Sequence, residues 1–223
     1  MEFFYVRFTT LTILMIGCII ASLLAWRKTS DKIFLVCAGF HLVSLAFQWA
    51  AYLYSHYTGI SNHFIVNLSL FPEFIFYGLI YLFSAENTPA KRVITYTGIL
   101  LMVFTIYNMV FVQGFRTFNT YTRHAAAVAV IIYSLVYLYQ LLKKDEVVYF
   151  KKEWMFWITT GILVSTLIPI FYYSLFDYIQ QNKLDEGGII FQYLTFTGSA
   201  FRYLMFMYGF LTASKWEQKK LLV

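Results

Sequence analysis

Long apolar runs separated by short polar stretches divide the chain into seven segments, at 8–26, 32–54, 62–84, 93–113, 124–142, 154–177 and 189–212. A helix rises about 1.5 Å per residue, so crossing roughly 30 Å of hydrocarbon takes about 20 residues. The runs have that length. Apolar positions inside them do not alternate; 11–20 and 128–132 are nearly continuous. A membrane β-barrel would instead show strands of about 10 residues alternating apolar and polar. The pattern therefore predicts an all-α membrane fold, a single seven-helix transmembrane domain over 1–223, with backbone groups bonded inside each helix. The first run is too long for a secretory signal, and no small-residue cleavage site follows it, so it reads as the first span.

Composition agrees. Hydrophobic residues make up 60% and charged residues 13%, against about 45–50% and about 25% in soluble domains. The two cysteines, Cys18 and Cys37, both fall inside predicted spans, so a disulfide framework is not expected.

Charge adds an orientation. Of the 17 Lys and Arg residues, twelve lie in the first, third and fifth connections and the C-terminal tail: Arg27, Lys28, Lys32, Lys91, Arg92, Lys143, Lys144, Lys151, Lys152, Lys215, Lys219 and Lys220. The opposite set holds only Arg7, Arg116, Arg123 and Lys183, and Arg202 lies within a span. Cytoplasmic loops carry the positive excess, which predicts an N-terminus outside and a C-terminus in the cytoplasm. The net charge of +6 follows from this bias. It predicts contact with the lipid bilayer, whose inner leaflet is anionic, and no nucleic-acid binding. The basic tail beginning at Ser214 either marks the membrane surface or docks a cytoplasmic partner.

The connections are short. Pro89 in the third suits a helix boundary. The charged fifth is expected to extend two helices beyond the membrane, and the sixth, 180–188, ends in Gly187-Gly188 as a flexible turn. Pro72 and Pro169 break the third and sixth spans at corresponding places, as in inverted-repeat transporters, although prolines are common in membrane helices.

Polar residues inside the spans line up on faces. Gln192, Thr195, Ser199 and Arg202 share one face of the seventh span; Ser69, Glu73 and Tyr77 share one of the third; His41, Ser44 and Gln48 one of the second. Thr97, Thr105 and Asn108 align in the fourth, and Thr159, Thr166 and Pro169 in the sixth. Ionisable residues at this depth are costly and face a bundle interior. Glu73 and Arg202 fall at similar depth, and an Arg–carboxylate pair is the least costly way to hold both. The predicted polar interior thus comprises this pair with His41, Ser44, Gln48, Ser69, Tyr77, Asn108, Thr166, Thr195 and Ser199. Such residues also bond across packed helices with no further role.

A second candidate lies at the outer ends: Asn67, Gln113, Arg116, Asn119, Arg123, His124, Asp177 and Gln192, joined by Tyr107, Tyr121, Tyr173 and Tyr193, form a rim for a small ligand. An interfacial aromatic belt accounts for the same composition. Familiar chemistries are missing. The seventh span has no lysine for a retinal Schiff base. The four histidines, His41, His56, His63 and His124, form no metal-ligand spacing. No nucleophile elbow, P-loop or dinucleotide motif occurs. No enzyme activity, metal or cofactor is expected.

The stretch Gln113-Gly114-Phe115-Arg116-Thr117-Phe118-Asn119-Thr120-Tyr121-Thr122 before a span, and Phe156-Trp157-Ile158-Thr159-Thr160-Gly161 opening the sixth, resemble uncharacterised seven-helix membrane proteins of Bacteroidota. In that group similar modules stand alone, beside two-component genes, or fused ahead of a histidine kinase. The resemblance implies a multi-pass protein of the cytoplasmic (inner) membrane of a bacterium, with sensory or receptor-like function. A stimulus at the outer face would be passed to a separate cytoplasmic kinase or regulator, since this chain carries no kinase domain. The alternatives are a small-solute or ion transporter using Glu73, and a structural subunit of a membrane complex.

Overall fold

In the computed structural model, residues 2–143, 149–185 and 187–220 are described, with the side chains of 2–5, 177 and 216–220 outside that description. These residues form helices and turns with no strand among them. The long apolar runs become α1 (Glu2–Thr29), α2 (Ile33–Thr58), α3 (His63–Leu68), α4 (Leu70–Ser84), α5 (Thr88–Tyr107), α6 (Thr120–Leu142) and α7 (Trp154–Ser174); a short α8 (Phe176–Gln181) and a long α9 (Ile189–Lys220) follow. Six stretches are long and apolar enough to cross a membrane, α3 and α4 counting as one and α5 including a terminal turn to Val112. The protein is thus a multi-pass α-helical membrane bundle. α9 is not one of the six, because Gln192, Thr195, Ser199 and Arg202 dilute its apolar character.

Local chemistry sets the ends. Gly59 closes α2 with φ 67°, a left-handed conformation that suits glycine, and its N–H bonds the Ser55 carbonyl. Asn87 caps α5 by accepting the Ala90 N–H at 2.9 Å, with Pro89 in the first turn, the boundary its position predicts. The third span breaks at Ser69 because Pro72 carries no N–H for the Leu68 carbonyl and its ring crowds that group; the Ser69 hydroxyl donates to the Val66 carbonyl at 2.9 Å. Pro169, by contrast, sits inside an unbroken α7, so the two prolines do not mark matching broken spans. The fifth connection also differs from expectation. α6 stops at Leu142, and a single 3-10 turn, Phe150–Lys152, precedes α7, so the helices are not extended; residues 144–148 lie outside the described ones.

Each helix packs on its neighbours in sequence, α1 on α2, α2 on α4, α4 on α5, α5 on α6 and α6 on α7, and α9 closes the ring by lying against both α7 and α1. The α7–α9 contact is the tightest. A Cβ on Gly161 would stand 2.8 Å from Met205 Cβ and 3.2 Å from the Arg202 carbonyl oxygen; one on Gly209 would stand 2.9 Å from the Trp154 carbonyl oxygen. Gly198 meets the Ser165 carbonyl, where a Cβ would lie 3.2 Å away. That carbonyl is the one Pro169, four residues on, cannot bond. The backbone of α9 thus sits over the acceptor that the proline frees, in the manner of Cα–H···O contacts between close helices.

Gly161→Ala and Gly209→Ala should each lower stability by about 1–3 kcal/mol through forced separation of the two helices. Gly39→Ala and Gly78→Ala, where nothing lies within 4 Å, should be neutral or slightly stabilising. Thermal unfolding of the four variants in nanodiscs tests the difference; equal midpoints would contradict it.

Candidate functional site

The ring encloses a cavity of about 490 Å³ at the end of the bundle that carries the N-terminus. α1 contributes Arg7, Phe8 and Leu11; α2 contributes Gln48; α3 and α4 contribute His63, Val66, Leu70, Glu73, Phe74 and Tyr77. Arg123, Ala126, Ala127 and Val130 come from α6, Ser165, Thr166, Pro169 and Tyr173 from α7, and Phe191, Thr195, Phe196, Ser199 and Arg202 from α9, with Asn62 and Phe118 from connections. α5 lines none of it. On α9 the lining runs from Phe191 to Arg202, a depth of about 16 Å at helical rise.

The floor is an ion-paired triangle. Arg202 Nη1 donates to Glu73 Oε1 at 2.7 Å, and also to the Tyr77 hydroxyl. The Tyr77 hydroxyl donates to the same Oε1 at 2.9 Å. Arg202 further packs against the Tyr203 ring, 5.2 Å from its centroid. Taking two charges out of water is costly, and the bonded geometry offsets that cost. Glu73 and Arg202 are therefore brought together as their depth predicts.

Beneath the floor the interior turns aromatic. Phe40 stacks on Phe76 with centroids 3.9 Å apart. The His41 ring lies within 5.2–6.2 Å of Phe40, Phe76, Tyr203, Phe206 and Phe210. His41 is fully buried, and neither ring nitrogen has a hydrogen-bond partner. It belongs to this plug and not to the cavity, a correction to the predicted polar interior: the helical stripe from His41 to Gln48 crosses from plug to cavity along its length.

The other predicted interior residues divide. Gln48 lines the cavity and joins α2 to α1, donating to the Thr12 hydroxyl at 3.1 Å and the Phe8 carbonyl at 3.3 Å. Thr166, Thr195 and Ser199 line it as expected. Ser44 and Ser69 do not, Ser69 being used at the α3–α4 break. Asn108 is displaced furthest. It opens a π-helical turn, Asn108–Val112, and donates to Gln113 Oε1 at 2.9 Å, Thr122 Oγ1 at 3.0 Å and Asn119 Oδ1 at 3.3 Å.

That cluster also revises the predicted rim. Gln113 donates to Thr120 Oγ1 at 2.9 Å and accepts the Tyr121 N–H at 3.1 Å. Asn67, fully buried, donates to the carbonyls of Phe115 and Thr117 at 3.0 and 2.7 Å. Asn67, Gln113 and Asn119 therefore fold the connection between α5 and α6 and do not line the cavity. His124 bonds the Thr120 carbonyl and the Ser174 hydroxyl, both at 2.9 Å; Gln192 reaches the Gly187 carbonyl at 3.4 Å; Arg116 is exposed. Asp177 lies in α8 with its side chain outside the described residues. Of the described side chains of the rim set, Arg123 alone is found in the cavity lining. Tyr107, Tyr121 and Tyr193 are exposed, as an aromatic belt requires, and Tyr173 lines the cavity.

Two elements have no counterpart in the sequence expectations. Arg7 reaches the cavity from α1, where its position before the apolar run suggests a loop charge. Asp185, 8% exposed, accepts the N–H groups of Ile190 and Phe191, both at 3.1 Å, and the Tyr172 hydroxyl at 2.9 Å. It anchors the first turn of α9 to α7. Burial pushes this carboxyl up, but the bonds from Phe191, Ile190 and Tyr172 outweigh burial and hold it below the usual carboxylate range. The spacing of Asp185 four residues before an apolar helix was the available signal, though Gly187-Gly188 obscures where the helix begins.

Arg202→Ala should strand the Glu73 carboxylate and destabilise the protein by about 3–5 kcal/mol, with Arg202→Met plus Glu73→Gln recovering most of the loss; unfolding midpoints in nanodiscs decide, and an unaffected Arg202→Ala protein would show that the pair holds nothing. Because the Asp185 carboxyl is depressed in the folded protein, its contribution is complete above the unfolded value of about 3.9 and is lost as pH falls through the folded one. Amide exchange at Ile190 and Phe191, corrected for intrinsic rate, should therefore accelerate on acidification, and Asp185→Asn should abolish that dependence.

No family model, no curated protein and no solved structure matches the chain, so its own geometry is what supports a functional reading.

Proposed function

We propose that this chain is a receptor-like module of the cytoplasmic membrane, with seven spans, its N-terminus outside and its C-terminus inside, which binds a small ligand in the cavity and acts on a separate cytoplasmic kinase or regulator. One observation carries the reading: the cavity enters from one end and stops at the Glu73–Arg202 floor, above the plug of Phe40, His41, Phe76, Phe206 and Phe210. A blind, largely apolar cavity with a few convergent polar groups is the usual form of a small-molecule site. The cavity end carries the four basic residues of the sparse set, and the plugged end the described members of the rich set, which supports an outward opening.

α9 serves as the seventh span because its polar stripe turns to the cavity and not to lipid. It joins the floor to the output side: Arg202 is part of the floor, and the same helix runs on to Lys220. The glycine contacts with α7 make the two helices move as a unit. A ligand that favours one packing of this unit against α4 over another biases whatever reads the cytoplasmic end. A transporter with the same cavity needs the aromatic plug to part and Glu73 to exchange its partner, and the tight packing of the plug favours the receptor.

A photo-crosslinker at position 215, used in native membranes, should trap a histidine kinase or response regulator. Proton-linked solute uptake by proteoliposomes, lost in Glu73→Gln, with no such partner trapped, would replace the receptor with the transporter. Stability dependent on another membrane subunit, with neither result, would make the chain a structural component.

A further inference from the structure

Arg123 and Arg202, both in the cavity lining, are held in different ways. Three of the described lining side chains are arginines, Arg7, Arg123 and Arg202, and one, Glu73, is a carboxylate. Arg202 is paired with Glu73. Arg123 has no carboxylate within ion-pair distance among the described residues. Its guanidinium lies 4.5 Å from the Phe118 centroid and 5.9 Å from that of Tyr173. Ring faces attract the cation but accept few of its N–H groups, and Nε is buried without a partner. A guanidinium held by aromatic faces, its donors unspent, on the wall of an apolar cavity is set up for an acceptor that arrives with a negative charge. A carboxylate suits its fork geometry.

The floor offers the opposite group. Arg202 and Tyr77 both bond Oε1 of Glu73, and the Glu73 side chain remains 27% exposed, which leaves Oε2 to the cavity. A carboxylate oxygen accepts only, so it calls for an N–H, O–H or ammonium. Between the two ends the wall is mostly hydrocarbon and ring, with Leu11, Leu70, Phe74, Val130 and Phe196, and its Thr166 and Thr195 hydroxyls are spent on their own helix backbones. Glu73 stands ten residues beyond His63 at the rim, about 15 Å down at helical rise.

We infer that the cavity binds an elongated organic anion, its carboxylate on Arg123 at the mouth and a hydrogen-bond donor or ammonium at its far end on Glu73 Oε2, with an apolar chain between. The inference rests on the cavity's being a ligand site, as the receptor reading has it, and adds the chemistry of the ligand.

The full chain in nanodiscs, titrated calorimetrically with three probes, tests it. ω-Aminooctanoate carries both ends, octanoate lacks the donor, and ω-aminooctanamide lacks the charge on the head. ω-Aminooctanoate should bind tightest. Arg123→Gln, which removes no ion pair among the described residues, should weaken ω-aminooctanoate and octanoate by about tenfold or more and leave ω-aminooctanamide unchanged. Glu73→Gln should weaken ω-aminooctanoate towards octanoate. Saturable binding of ω-aminooctanamide as tight as that of ω-aminooctanoate would overturn the proposal, as would indifference to Arg123→Gln or no binding by any probe. The partner experiment at position 215 is independent: binding with no kinase or regulator trapped sustains the ligand chemistry and removes the receptor role.

Discussion

The Glu73–Arg202 pair is the constraint around which the bundle is arranged. A guanidinium and a carboxylate in the middle of an apolar helical assembly are stable only together, and each further bond to them offsets part of the cost of burial. Tyr77, one turn beyond Glu73, supplies one of those bonds, and the Tyr203 ring covers the guanidinium. The pair joins α4 to α9, which lie on opposite sides of the cavity and are separated in the chain by 129 residues. It also divides the interior. On one side is space lined by Ser, Thr and Gln; on the other is a close-packed aromatic layer with no room for water. The change occurs at one level because the charges need the polar side and the rings need the dry one.

The closeness of α7 and α9 follows from a different balance. In lipid there is little hydrophobic drive between helices, so association depends on contact and on backbone polar groups. Gly161, Gly198 and Gly209 remove side chains where the two backbones meet, and Pro169 frees a carbonyl at Ser165 just where Gly198 approaches. A kink-prone residue and a small one on the partner helix are thus parts of one contact. Because Arg202 packs its backbone against Gly161, the position of the floor cation is tied to this interface as well as to Glu73.

How far these features were legible depended on how many helices each required. Apolar run length and the absence of alternation identify the spans, since each is a property of one segment, and the depth match of Glu73 with Arg202 survives because both follow from counting along single helices. Helical faces were less reliable guides. His41 and Gln48 share a face of α2, yet one ends in the plug and the other in the cavity, since a face says nothing about depth along the axis. Asn67, Gln113 and Asn119 read as rim ligands, and Asn108 as an interior residue, but all four are consumed by the connection between α5 and α6. That tight loop near the membrane must satisfy its carbonyls and amides internally, and side-chain amides with a donor and an acceptor each are suited to it. Arg7 was missed because the other walls of its cavity come from helices far along the chain, and Asp185 because Gly187-Gly188 obscures the start of the helix whose N–H groups it accepts.

The same reasoning shows where a ligand can exert leverage. Binding energy spent equally on two packings of a bundle moves neither. Contacts with Arg123 alone have this character: the residue is held by Phe118 and Tyr173 at the mouth, whereas the bonds that tie α4 to α9 lie at the floor, so they add affinity without touching those bonds. Glu73 differs. One of its oxygens already binds Arg202 and Tyr77, and the other faces the cavity. A donor or cation arriving at the free oxygen withdraws charge from the shared carboxylate, weakens its hold on Arg202, and so alters one of the bonds that tie α4 to α9. On the proposed receptor reading, affinity is set at the mouth and efficacy at the floor. A compound that reaches Arg123 but not Glu73 then binds without signalling, because it leaves the relative energies of the two packings as they were.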